Sequence, residues 1–118
     1  TGSQALTIGS TLTKDLLYLG GRWNIQNEYA ENEVGGATIR YRFRGKSVNI
    51  VVESSQGIVV RVLQDGKSAR GKDLDSNGMV KIQESGLYNI IDNDSYGEHM
   101  LEIIIEGPGL RAYAFTFG

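Results

Sequence analysis

No cysteine occurs among the 118 residues, and proline, histidine and tryptophan occur once each. Without thiols the chain holds no disulfide, no thiolate-bound metal and no cysteine nucleophile, and its redox compartment stays open. A lone histidine, His99, gives little from which to assemble a nucleophile–base pair, and no Gly-x-Ser-x-Gly elbow accompanies it. Charge of neither sign dominates: 12 Lys and Arg stand against 14 Asp and Glu, for a net charge of −2. That balance lacks the basic surplus of a nucleic-acid binder, so no nucleic-acid partner is expected. Apolar runs are short, Ile103-Ile104-Ile105 among the longest, against the ~20 residues a membrane helix requires. No direct membrane insertion is expected. No signal peptide is visible, and Thr1 is not a natural start, so the chain reads as an excised segment.

What the chain has instead is two-residue alternation punctuated by 16 glycines. Residues 37–43 place Ile39, Tyr41 and Phe43 on one face and Thr38, Arg40 and Arg42 on the other, the pattern of a half-buried strand. Gly45-Lys46 is expected to turn it into a second strand over 47–53, and a third follows over 58–64. Asp65-Gly66 suits the positive φ angles of a tight hairpin. Further strands are predicted over 79–83, 87–91 and 99–106, with 92–97 as a polar loop. Residues 22–29 open the series, Trp23, Ile25 and Tyr29 in one phase. The last strand, 110–118, places Tyr113, Phe115 and Phe117 on one face and buries them. About eight strands at hairpin spacing predict an all-β, jelly-roll-like antiparallel sandwich. Residues 1–17 read as a linker or expression remnant and 18–118 as the domain.

Asp73, Asp75 and Asn77, with Gly78 at the turn, Val80 at the apolar position and Glu84 last, match the spacing of a twelve-residue calcium loop. Its context is wrong for an EF-hand, because 66–72 is glycine-rich and Gly86 interrupts any downstream helix. Asp and Asn supplying turn chemistry is the plainer reading, with calcium as an alternative and no cofactor as the expectation. By strand phase His99 shares the face of Leu101, Ile103 and Ile105, a rim or core histidine bonded to backbone. Glu28, Glu31 and Glu33 cluster in sequence but give no cleft geometry for glycoside hydrolysis. Arg40, Arg42 and Arg44 line one strand face, where pairing with Glu53 and other acids is expected.

Aromatics carry the functional reading. A sugar offers flat C–H faces ringed by hydroxyls, so a module that binds it needs an exposed ring among polar groups. Trp23, Tyr29, Tyr88 and Tyr96, with Glu28 beside them and Tyr18 nearby, are the candidates, although Trp23 equally suits a core plug. Tyr96 is the ring expected to be exposed.

Leu19-Gly20-Gly21-Arg22-Trp23, Glu28-Tyr29-Ala30, residues 37–43, Asp65-Gly66, Leu87-Tyr88, Gly97-Glu98-His99 with Leu101, and Pro108-Gly109 through the closing Ala112-Tyr113-Ala114-Phe115-Thr116-Phe117-Gly118 resemble the C-terminal domain of DipZ-type thiol-disulfide oxidoreductases. The resemblance runs from about Tyr18 onward and is most specific in its closing segment. It implies a carbohydrate-binding-like sandwich following a thioredoxin-like domain that carries the Cys-x-x-Cys motif, on the extracytoplasmic side. It implies no redox chemistry in this segment, does not require the calcium-like loop, and supplies no catalytic residues. The expectation is a non-catalytic carbohydrate-binding-like accessory module. The alternatives are a domain that docks on its thioredoxin-like neighbour or a client protein, and a calcium-stabilised structural module.

Overall fold

Two long strands, β5 (Ala37–Glu53) and β9 (Gly86–Ile105), run antiparallel through the whole molecule and set its architecture. The computed structural model describes residues 4–7, 17–26, 28–54 and 57–118, with residues 4–7 and 17 by backbone alone. The strands pair from Ala37↔Ile105 to Gly45↔Gly97, and again from Ser47↔Asp92 to Val52↔Gly86. Between those stretches β9 holds residues 93–96 where β5 holds only Lys46. Such a bulge bends the ribbon and resets its side-chain phase. Before it Ala37, Ile39 and Phe43 are buried; after it Val48, Ile50 and Val52 are. The ribbon therefore serves both layers of a sandwich, as strands do where they turn a corner between sheets. Alternation alone had suggested turns at Gly45-Lys46 and at 92–97; continued pairing across the bulge replaces both.

The first half of β5 lies between β2 (Leu17–Gly20) and the second half of β9, which pairs next with β6 (Ile58–Gln64). On β6 sit β7 (Lys67–Ser68) and β8 (Met79–Ile82). In the other layer β10 (Arg111–Phe117) pairs with the second half of β5. Its far edge takes β1 (Gln4–Thr7) and β4 (Ala30–Asn32), and β4 carries β3 (Trp23–Ile25). All pairings are antiparallel and no helix occurs among the described residues, so the all-β sandwich stands. Ten strands replace the expected eight or so. β5 and β9 each join two expected strands, while β1, β2, β4 and β7 are additional. Gln26 N–H donates to the Tyr29 carbonyl (2.8 Å) and turns the stretch read as one strand over 22–29 into the β3–β4 hairpin. The stretch read as a linker supplies β1 and the first residue of β2, while residues 8–16 lie outside the described ones.

The buried faces of both layers form one apolar cluster, with Ile39, Phe43, Leu101 and Ile103 from the first and Val48, Ile50, Phe115 and Phe117 from the second. Tyr41 bridges the layers, its ring 5.2 Å from Phe117 and 6.3 Å from Phe115. Burial pushes its phenol pKa up. The C-terminal rings are sealed as expected, except Tyr113. A bulge between Ala112 and Ala114 breaks the alternation, so Ala112, Phe115 and Phe117 point inward and Tyr113 turns out.

Two polar anchors fix the periphery. Asn32 is fully buried: its Nδ2 donates to the Val34 and Gly107 carbonyls (2.9 and 2.7 Å) and its Oδ1 accepts from Leu110 N–H (2.8 Å). Asp65 and Gly66 take φ values of 54° and 82° in the β6–β7 turn. The Asp65 carboxylate accepts the Met100 N–H (2.9 Å) and lies 2.6 Å from His99 Nδ1. His99 is thus held by a side chain rather than by the backbone expected, against Phe43 at 5.6 Å. The Met100 N–H foremost, then His99, holds Asp65 below the usual carboxylate range. A carboxylate with a lowered folded-state pKa contributes stability that is present above its ordinary pKa and is lost as pH falls through the folded value. Acid unfolding of Asp65→Asn is therefore expected to begin from lower stability and to show a shallower pH slope below about pH 4. Parallel denaturation curves for the two proteins at every pH would sink that expectation.

Candidate functional site

The bulge that bends the β5–β9 ribbon also makes a groove. Strand β2 pairs only with residues 38–41 of β5, so among the described residues 42–44 have no strand on that edge. Beside them opens a hollow of about 340 Å³ lined by Tyr41, Arg42, Phe43, Arg44, Tyr96, Glu98 and Phe117. Phe43 and Phe117 belong to the core, whereas Arg42, Arg44 and Glu98 are exposed. Tyr96 lies in the extra residues of the bulge and is 62% exposed. Among the described residues neither guanidinium is in an ion pair, since Arg40 takes Glu102 (3.1 Å) and Glu53 takes Arg111 (3.3 Å). The expected pairing of the arginine stripe with Glu53 therefore does not occur. The Arg42 charge adds slightly to the lowering of the Asp65 carboxyl pKa, after the Met100 N–H and His99. An exposed ring beside uncommitted hydrogen-bonding groups is the chemistry that takes a polyhydroxylated ligand.

A second cluster lies on the outer face of β4, β10 and β5. The Tyr29 and Tyr113 rings meet at 5.2 Å with a tilt of 48°, and the Arg111 guanidinium sits 4.8 Å from the centre of the Tyr29 ring. Arg111 Nε donates to Glu31 (2.6 Å) and its Nη1 to Glu53 (3.3 Å), while the Tyr113 hydroxyl donates to Glu53 (3.0 Å). The Glu31 bond foremost holds Arg111 more firmly in its cationic form. Partial burial, then Glu53, pushes the Tyr113 phenol pKa up. Sequence reasoning reached Tyr29 but not its partners, because the β10 bulge that turns Tyr113 outward and the cross-strand register that sets Arg111 beside Glu31 leave no local sequence signal.

The other sequence candidates are elsewhere. Trp23 is half-buried against the core, its indole N–H donating to the Gly20 carbonyl (2.7 Å). Tyr88 also packs on the core and donates to the Glu84 carbonyl (2.6 Å). Glu28 is exposed in the β3–β4 turn. A polar hollow of about 360 Å³ lined by Arg70, Gly71, Lys72, Asp92, Asn93 and Asp94 has no ring.

The calcium-like loop uses its carboxylates on backbone N–H groups of β9 and of the loop itself. Asp73 accepts the Asn89 N–H (2.6 Å), and Asp75 accepts those of Asn77 and Met79 (2.8 and 3.0 Å). Asp73, Asp75, Asn77 and Glu84 lie in a segment flanked by turns and strands, without the helix pair of an EF-hand. Gly78 is required for another reason. At φ 76° its carbonyl accepts the Val62 N–H (2.8 Å), and a Cβ there would meet the Val62 carbonyl at 2.9 Å. Gly78→Ala is expected to cost about 1–3 kcal/mol of unfolding free energy. A denaturation midpoint unchanged by that substitution would contradict the geometry.

The fold is an antiparallel β-sandwich of the kind found in carbohydrate-binding modules. A family model described as the thioredoxin-like C-terminal domain matches residues 1–118, and the chain belongs to that family. No curated protein sequence matches it. Among solved structures it is similar to a family two carbohydrate esterase from Cellvibrio japonicus, at 15% identity and a TM-score of 0.75, over 98% of this chain and 33% of that one. It is similar to the acetyl xylan esterase Est2A from the rumen bacterium Butyrivibrio proteoclasticus, at 12% identity and a TM-score of 0.76, over 99% and 32%. CsCBM6-3 from Clostridium stercorarium, in complex with cellobiose, aligns at 13% identity and a TM-score of 0.56 over 95% of this chain and 90% of that one. The chain spans about a third of each esterase. At these identities the likeness establishes the fold.

Proposed function

We propose that this domain is a non-catalytic carbohydrate-binding accessory module of an extracytoplasmic, DipZ-type thiol-disulfide oxidoreductase, needing no cofactor. The observation that carries the reading is the exposed Tyr96 ring beside Arg42, Arg44 and Glu98. A sugar face stacks on the ring while its hydroxyls take the guanidinium and carboxylate groups, and the bulge fixes their spacing. Family membership supports a thioredoxin-like neighbour, and the sandwich shared with CsCBM6-3 supports the module class. A non-catalytic reading is supported by the absence of cysteine and by the lack of a Gly-x-Ser-x-Gly elbow beside the only histidine.

The test is a glycan array followed by calorimetry on the hits. Tyr96→Ala is expected to weaken binding about tenfold, the scale of one aromatic contact, with stability unchanged. An array without hits, or full affinity retained by Tyr96→Ala, would remove the groove. A melting temperature that rises with calcium and falls with chelator would favour the calcium-stabilised reading instead, since a ligand bound only to the native state raises stability.

A further inference from the structure

We infer that the outer face of the second layer is another carbohydrate-binding surface, separate from the Tyr96 groove, which takes a neutral oligosaccharide laid along β5. Three successive outward positions of that strand, Glu53, Val51 and Asn49, span about 13 Å at the usual rise per residue. Each is flanked by outward neighbours of matching character.

At Glu53 the neighbours are Arg111 and Tyr113, with Tyr29 and Glu31 beyond. The half-buried Tyr113 ring, tilted 48° against Tyr29, offers an aromatic contact, and the acids and guanidinium hold one another in fixed geometry, so a ligand hydroxyl meets groups already oriented. At Val51 the cross-strand partners are Leu87 on one side and Ala114 on the other. Leu87 is 60% exposed, an apolar floor open to solvent. At Asn49 a side-chain ladder crosses three strands: Asn89 Nδ2 donates to Asn49 Oδ1 (3.0 Å), and Asn49 Nδ2 donates to Thr116 Oγ1 (3.2 Å). Those bonds fix which way each amide points and leave the Thr116 hydroxyl proton and one Asn49 amide proton for a ligand.

Charge and composition choose the occupant. Two carboxylates share one guanidinium, so the face repels an acidic sugar and suits a neutral one. A folded protein would have to strip water from Glu31, Glu53 and the amide ladder, whereas charged groups are depleted at the centre of protein interfaces. A sugar replaces that water with hydroxyls. The Tyr113 turn-out has the same logic: sealed in the core with Phe115 it would serve packing alone, and the bulge instead gives its ring to the surface.

Chemical-shift mapping of the 118-residue protein with cellohexaose, xylohexaose and mannopentaose tests both surfaces at once. Shifts at 49–53, 87–89 and 111–116 that persist in Tyr96→Ala are expected for at least one of the three sugars. Leu87→Arg, at an exposed position, is expected to abolish them, and Tyr113→Ala to weaken them about tenfold. Shifts confined to the groove would overturn this inference and leave the groove reading intact. Shifts confined to the outer face would do the reverse, and no shift at either would overturn both. Movement of the outer-face residues with protein concentration alone would make it a self-association surface and overturn the inference.

Discussion

Asn32→Ala is expected to lower the unfolding free energy by about 3 kcal/mol or more, a large effect for deleting one polar side chain. The side chain is fully buried and ties three backbone groups, the Val34 and Gly107 carbonyls and the Leu110 N–H. Its own backbone adds two bonds across the same junction, N–H to the Leu110 carbonyl (3.3 Å) and carbonyl from the Gly109 N–H (2.8 Å). Alanine removes the partner and leaves the three groups desolvated, at about 1–3 kcal/mol each before relaxation or water entry reduces the sum. The loss falls where β4 meets the turn into β10, so the Leu110 amide is expected to lose exchange protection first. Urea denaturation with amide exchange reads both. A loss under about 1 kcal/mol with Leu110 still protected would show that the junction does not depend on this side chain.

Phe115→Ala is expected to cost about 3–5 kcal/mol, the range for emptying a buried aromatic position. The ring is fully buried, 5.9 Å from Phe117 and 6.3 Å from Tyr41, and so joins β10 to the first half of β5 across the sandwich. Its neighbours belong to two layers held by a shared bent ribbon, which limits how far they can close the cavity. Tyr113→Ala, two residues away and turned outward, is expected to cost much less. Equal destabilisation by the two substitutions would mean that the β10 bulge is not where the structure places it.

That contrast marks the limit of periodicity. Tyr113, Phe115 and Phe117 alternate without a break in sequence, and nothing between Ala112 and Ala114 announces an extra residue. Ser47 and Asp92 are equally silent about the bend they share, so one ribbon read as four strands. Trp23 and Tyr88 looked like sugar platforms because rings are what such sites need. Their indole and phenol groups instead bond nearby carbonyls while the rings cover the core.

The sequence by itself determined the class: alternation made strands, glycine and Asp-Gly made turns, and the lack of cysteine removed thiol chemistry from this chain. These are local properties, set by side-chain period and backbone sterics within a few residues. Tertiary structure alone decided which rings reach solvent and which polar groups meet. The bulges in the β5–β9 ribbon and in β10 form only when distant strands pair, and an odd offset in register sends later side chains to the opposite face.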